Sequence, residues 1–271
     1  MTIALSRRAR PATAASAARR PSAGKYVVGI VSVVVVLALW QLSGTLGWIP
    51  VAYTSTPLAV LGAGGTLIGS GELGANVVSS LAIFAIGFGG GAVIGVPLGM
   101  LMGWRLRARQ TFEPLVTAVY LTPSIVLLPI FVLALGIGPA SKVAIVFIEC
   151  VITIVVNSMA GIRETDPRLV RAARSFQASD WAIFMRVLLP SALPTIVAGL
   201  RLGVGRAVIT VVVAELYGGT IGIGVLISQY GTALRIAPLM FLVILVGVFG
   251  YVASALLRRV EVAVTPWRRE R

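Results

Sequence analysis

Apolar residues along this chain collect in long, nearly unbroken runs rather than in stripes or alternations. Six such runs stand out, at about 26–46, 76–102, 114–135, 142–160, 191–215 and 237–257. Each approaches the roughly 20 apolar residues needed to cross about 30 Å of hydrocarbon. A run that is apolar on all sides offers no polar face to water. In lipid, a helix is the single-segment structure that satisfies all of its own backbone hydrogen bonds. The pattern therefore predicts an all-α, polytopic membrane protein with six transmembrane helices. They form one domain over 26–257, flanked by basic tails at 1–25 and 258–271.

Composition agrees: 58% of residues are hydrophobic and 12% charged, against about 25% charged in a typical soluble domain. A net charge of +14 raises nucleic acid as a partner, but the placement of the bases argues for membrane topology instead. They cluster in alternate connections, as the positive-inside bias requires. One set is Arg7, Arg8, Arg10, Arg19, Arg20 and Lys25, followed by Arg105, Arg107 and Arg109. The next is Arg163, Arg168, Arg171, Arg174 and Arg186, and the tail adds Arg258, Arg259, Arg268, Arg269 and Arg271. The opposite side carries Lys142 and Arg235. Both termini are therefore expected in the cytoplasm. The Arg-, Ala- and Ser-rich start has the look of a transit peptide or a signal n-region. No small-residue cleavage site follows the apolar run near Trp40, so an uncleaved tail is the reading taken. The single cysteine, Cys150, lies inside an apolar run, which excludes a disulfide within the chain. With no histidine, a metal site and His-based proton chemistry both lose their usual carrier.

Two connections and one span have character of their own. Residues 47–75 read as an irregular external loop with short amphipathic pieces such as 57–67. In the second span, Gly87, Gly91, Gly95 and Gly99 recur every four residues and make a smooth stripe. Such a stripe lets a neighbouring helix approach closely; a helix that moves is the alternative reading.

The segment 161–194 is too polar to span and too organised for a plain linker. Thr165 or Asp166 can cap a helix with Pro167 at its first position, where the missing N–H does no harm. Leu169, Val170, Ala172, Ala173 and Phe176 give this helix an apolar side. Gln177, Ala178 and Ser179 break it, and Ser179 or Asp180 can cap a second helix from Trp181 to Leu189, ahead of Pro190 and Pro194. A short helix standing off the membrane can dock in a groove of a soluble partner. Ala172 and Ala173 would allow close approach, and Phe176 and Trp181 would supply anchoring area. A connector lying on the membrane surface is the plainer alternative. A DNA-reading helix-turn-helix is a further alternative, opposed by both ends entering lipid at once.

Arg171-Ala172-Ala173, Gln177 and Val187-Leu188-Leu189-Pro190 resemble the "EAA" loop of binding-protein-dependent ABC importer permeases. That loop reads Glu-Ala-Ala, three residues, Gly, and later an apolar residue-x-Leu-Pro. Arg171 stands where the family has an acid and Gln177 where it has glycine. The resemblance runs over residues 40–267 and is to the nitrate/sulfonate/taurine-type permeases. Its further landmarks include Pro123, Pro129, Asn157, Gly199-Leu200-Arg201, Ala214-Glu215, Gly222-x-Gly224 and Trp267. It implies a bacterial inner-membrane subunit that pairs with a second permease copy. ABC-type ATPase subunits and an extracytoplasmic substrate-binding protein are its expected partners. The loop 161–190 would be the cytoplasmic coupling element between spans 4 and 5. Its contact residues would be Arg171, Ala172, Ala173, Phe176, Gln177, Ala178, Ser179, Trp181, Leu189 and Pro190.

Ionisable groups within spans cost roughly 2.5–3.5 kcal/mol each on insertion scales and face the bundle interior. Glu149, Thr153 and Asn157 share one face of the fourth span; Arg206 and Thr210 share a face of the fifth, with Glu215 near its outer end. These six are candidates for a translocation path. Interhelical bonding, such as Glu149 with an arginine of the fifth span, is the alternative. Gly199 and Gly203 make a small-xxx-small contact, and Arg201 lies toward the cytoplasmic end. No Gly-x-x-x-x-Gly-Lys-Ser/Thr string occurs, so the chain is expected to bind no cofactor and leave Mg-ATP to a partner. The expected function is solute import, with a small anion such as a sulfonate, taurine or nitrate favoured by the resemblance. A gradient-driven secondary transporter would leave the capped loop idle. An intramembrane enzyme would need a nucleophile–base pair that these scattered acids do not form.

Overall fold

The structure is a computed structural model that describes residues 23–50 and 53–264, which contain helices and turns and no strand. The tails expected at 1–25 and 258–271 fall largely outside the described residues, as does Trp267. The first helices in order are α1 (Ala23–Thr45), α2 (Pro57–Gly69), α3 (Glu72–Trp104) and α4 (Leu106–Leu121). A 3-10 turn, Ser124–Leu127, leads into α5 (Leu128–Leu135), and α6 is Pro139–Arg163. Then come α7 (Pro167–Ser175), α8 (Asp180–Ile183), a π-helical turn Phe184–Leu188, α9 (Leu189–Gly218), α10 (Ile223–Thr232) and α11 (Ile236–Val264).

Among the described residues, five helical stretches are long and apolar enough to cross a membrane: Val27–Thr45, Glu72–Trp104, Pro139–Arg163, Asp180–Tyr217 and Ile236–Ala263. The third apolar run is different. Instead of one helix over 114–135 it is a pair, Leu106–Leu121 and Ser124–Leu135, bent by 91°. The residue ahead of a proline is pushed out of the helical region, and Thr122, just before Pro123, is extended at φ −82°, ψ 124°. Counted as one broken span, this pair brings the total to the expected six.

The core is a layer of three helices, α3, α6 and α9. α6 is the central one, with Ile145, Val146, Cys150, Ile154 and Val155 shut off from solvent. The glycine stripe of α3 is the seam against it. A Cβ on Gly91 would lie 2.6 Å from Cys150 Cβ, and one on Gly99 would lie 2.5 Å from the Val155 carbonyl oxygen. On the other flank a Cβ on Gly199 would meet Asn157 Cβ at 2.5 Å, and one on Gly203 would meet Ile154 Cγ1 at 3.2 Å. At these four positions the helices flanking α6 present no side chain to it. Backbones approach closely there, which gains dispersion contacts in a medium where burying apolar surface gains little.

Peripheral helices bear out some expectations and correct others. The amphipathic piece at 57–67 is the helix α2, capped by Thr56 Oγ1 accepting from Ala59 N at 3.3 Å. It leans on α11, with Phe241 seated against Gly64. Lys142, expected in an external connection, belongs to the first turn of α6, because Pro139 starts that helix earlier than the hydropathy does; it is 3% exposed. α10 was not anticipated: ten residues are too few to span, yet Ile223, Leu226 and Tyr230 are buried with Leu67 and Leu242. The expected second short helix at 181–189 is not separate either. It runs through the π turn into α9. Pro190 cannot donate to the carbonyl of Arg186, and that carbonyl lies in the widened turn.

Candidate functional site

A cleft of about 500 Å³ opens where the break between α4 and α5 faces α6 and α9. Tyr120, Thr122, Pro123 and Ser124 line it from the break, Glu149 and Thr153 from α6, and Arg206 and Thr210 from α9. Glu149 and Arg206 are an ion pair, Nη1 to Oε1 at 3.3 Å, with side chains 15% and 59% exposed. Helical spacing of four puts each hydroxyl on the same wall as its charged neighbour: Thr153 follows Glu149, and Thr210 follows Arg206. Thr153 Oγ1 donates to the Glu149 carbonyl at 2.9 Å, so the hydroxyl is held along its own helix. The broken backbone fits this location, since non-helical chain at membrane depth is tolerated where it lines a polar cavity.

Asn157 and Glu215, the two remaining residues of the six, are not part of this cleft. Asn157 Nδ2 donates to the Thr153 carbonyl at 2.8 Å, and its Cβ lies against Gly199 in the α6–α9 seam. Glu215 is 1% exposed and belongs to a second polar cluster. Ser80 Oγ donates to its carboxylate at 2.7 Å, and Gly224 N donates to Oε2 at 2.8 Å. Ser80 Oγ in turn accepts from Ile223 N at 2.9 Å, and Asn76 Oδ1 accepts from Gly222 N at 2.7 Å. Lys142 supplies the opposite charge, its Nζ beside Gly219. The loop between α9 and α10 is therefore tied to α3 and α6. Gly222 permits this: its φ is +138°, and a Cβ there would enter the Glu215 carboxylate. A nearby bond closes the far side, Tyr230 Oη donating to Glu72 Oε2 at 2.9 Å. The Tyr230 phenol is pushed above its ordinary pKa by burial first, then by that hydrogen bond and the charge on Glu72.

The loop 161–190 forms a third feature. Asp166 caps α7 by accepting from Arg168 N at 2.8 Å, with Pro167 in the first turn, and Ser179 Oγ caps α8 by accepting from Ala182 N at 3.2 Å. α7 buries no residue fully. Its apolar side divides: Val170, Ala173 and Ala178 pack on the cluster of Ile162, Ile183 and Phe184, while Leu169 and Phe176 point outward, Phe176 86% exposed. Arg171 and Ala172 are exposed as well, and Leu189 and Pro190 are half-buried. Gln177 holds the left-handed φ of +56° that ends the helix, a conformation costing a non-glycine residue about 1 kcal/mol or more. Sequence reasoning missed how the loop is fastened. Trp104, at the end of α3, stacks on Phe184 at 4.6 Å and lies 6.4 Å from Trp181. Arg105 sits 3.9 Å over the Trp104 ring and pairs with Asp180 at 3.4 Å. The aromatic residues themselves, recurring at two ends that hydropathy leaves at the same membrane surface, were the available signal.

Residues 95–266 match the family model described as the binding-protein-dependent transport system inner membrane component. The chain belongs to this family. It is 32% identical over 212 residues to a probable ABC transporter permease protein of Brucella abortus (strain 2308), covering 78% of this chain and 85% of that protein. It is 30% identical to the putative aliphatic sulfonates transport permease protein SsuC of Bacillus subtilis (strain 168), over 95% of both chains. It is 27% identical to the taurine transport system permease protein TauC of Escherichia coli (strain K12), over 93% of this chain and 94% of that one. Among solved structures, the MetNI methionine ABC transporter in an inward-facing conformation shares the fold. The TM-score is 0.62 at 23% identity, over 71% of this chain and 96% of that one. The protein is thus a multi-pass membrane component of the ABC importer permease family, and its resemblance to the nitrate/sulfonate/taurine-type members holds.

Proposed function

We propose that this permease conducts a small solute bearing a sulfonate or similar anionic group through a path that includes the cleft at Glu149, Thr153, Arg206 and Thr210. The relatives named for sulfonates and taurine support that class, and the accessible guanidinium of Arg206 gives it a physical basis. A binding protein delivers the solute from outside. Two copies of the permease enclose the path, since one copy supplies a cleft open to its surroundings. Both termini and the loop 161–190 lie in the cytoplasm, where Mg-ATP is hydrolysed by a separate ATPase and not by this chain.

The observation that carries the coupling half of this reading is α7. It is a capped helix bearing Arg168, Arg171 and Arg174, it buries no residue fully, and it ends in an exposed phenylalanine. Val170 and Ala173 seat it on the cluster that contains Phe184, and the Trp104–Trp181–Phe184 stack fastens that next segment to α3, so force applied at α7 has a packed route to α3 and α9. ATP binding in the partner would shift the permease between cytoplasmic and external access by moving that lever. Uptake by cells expressing the permease with its ATPase and binding protein tests it. Phe176→Ala and Ala172→Trp, both at exposed positions of the loop, should lower solute-stimulated ATP hydrolysis and uptake with the permease still present in the membrane. Uptake that survives both, or persists without any ATPase, assigns the loop no coupling role.

A further inference from the structure

The cleft poses a problem of charge. Its lining includes one carboxylate and one guanidinium, Glu149 and Arg206, already bonded to each other. A simple anion that takes Arg206 must strip it from Glu149 and leave a mostly buried carboxylate unpaired, which is the costly way to break such a pair. A simple cation that takes Glu149 leaves Arg206 to water at lower cost, because that side chain is the exposed one, but must sit beside an unneutralised guanidinium that repels it. A solute carrying both charges replaces each partner as it removes it.

The geometry favours that exchange. At 3.3 Å the Nη1–Oε1 contact is longer than the roughly 2.7–2.9 Å of a tight charge-assisted bond. It involves one of the two carboxylate oxygens and one nitrogen of the guanidinium fork, leaving bonding capacity on both sides. Arg206, the more exposed partner, is the group an entering solute meets first. The hydroxyls of Thr122, Ser124 and Thr210 lie in the same lining, and about 500 Å³ is ample for a small organic molecule.

Resting on the permease reading, we propose that the Glu149–Arg206 pair is an exchange site for a small zwitterion. Arg206 takes the solute's sulfonate or carboxylate, Glu149 takes its ammonium, and the pair re-forms once the solute has left. The permease then contributes a selectivity of its own, against anions that lack an amine.

The test uses the full chain in lipid nanodiscs and three probes of one skeleton: taurine, ethanesulfonate and ethylamine. Wild type should bind taurine about tenfold or more tighter than either mono-charged probe. Glu149→Gln should abolish that preference, with taurine and ethanesulfonate binding alike, and Arg206→Gln should lose both. Because either single change could disturb folding, the exchanged variant Glu149→Arg with Arg206→Glu is the control. It keeps the pair and should keep the preference for taurine. Equal binding of taurine and ethanesulfonate to wild type, binding of none of the probes, or a preference unmoved by Glu149→Gln overturns the proposal. Its failure is separable from that of the permease reading, which is judged by the uptake of the α7 variants.

Discussion

Two glutamates sit at the depth of the spans, and the protein treats them in opposite ways. Glu215 is sealed among Ser80, Gly224 N and Lys142, with bonds that join residues 9 to 135 positions apart. Glu149, at the wall of a cleft, has a single guanidinium at 3.3 Å, and that of Arg206 is more than half exposed. A carboxylate held by several fixed donors cannot change partner without unfolding the loop that supplies them. A carboxylate with one exposed partner can. Burial and the number of donors, rather than the residue type, separate a structural acid from one available for a solute. Loss of a partner should therefore register in stability at Glu215 and in function at Glu149.

The largest effect should come from breaking the sealed side. Glu215→Leu strands Lys142, Ser80 and Gly224 N, and should cost about 3–5 kcal/mol, as removal of one partner of a buried pair does. Thermal unfolding in detergent, followed through tryptophan fluorescence, reads this as a large fall in Tm or as absence of assembled protein. Gly91→Val puts a side chain where Cys150 Cβ stands 2.6 Å away and should cost about 1–3 kcal/mol by overpacking in the same assay. Glu149→Gln removes the mostly buried charge and leaves only the exposed Arg206 unpaired, so it should lower stability by about 1 kcal/mol or less while changing solute binding. If Glu149→Gln and Glu215→Leu destabilise equally, the distinction between the two acids is lost. The smallest effect should be a gain. Gln177→Gly relieves the left-handed residue after α7 and should add about 0.5–1 kcal/mol, with uptake preserved.

How much of this could be read from sequence divides along the same line. The spans were legible because hydropathy is a local property. So was the pairing of Glu149 with Thr153 and of Arg206 with Thr210, because helical spacing fixes each face. The caps Asp166 and Ser179 were legible from turn chemistry. The contact between Asn76 and Gly222 and the tie from Ser80 to Glu215 were not, since nothing local links residues more than a hundred positions apart. Pro190 misled in a specific way: proline read as a helix stop, but the π turn at Phe184–Leu188 carries the helix past it. Pro123 was the reverse case, a break hidden inside a run whose hydropathy is continuous. Asn157 shared the face of Glu149 by spacing, yet the close approach at Gly199 took it into the seam.

Transport through this permease requires the cleft to be wet and visited by solute while the Glu215 cluster stays dry. Water-soluble maleimide labelling in native membranes tests this directly, with Thr153→Cys and Ser80→Cys compared over a background of buried Cys150. Thr153→Cys should label and be slowed by transported solute, and Ser80→Cys should stay unlabelled. Labelling of Ser80→Cys, or of Thr153→Cys at a rate indifferent to solute, would contradict it.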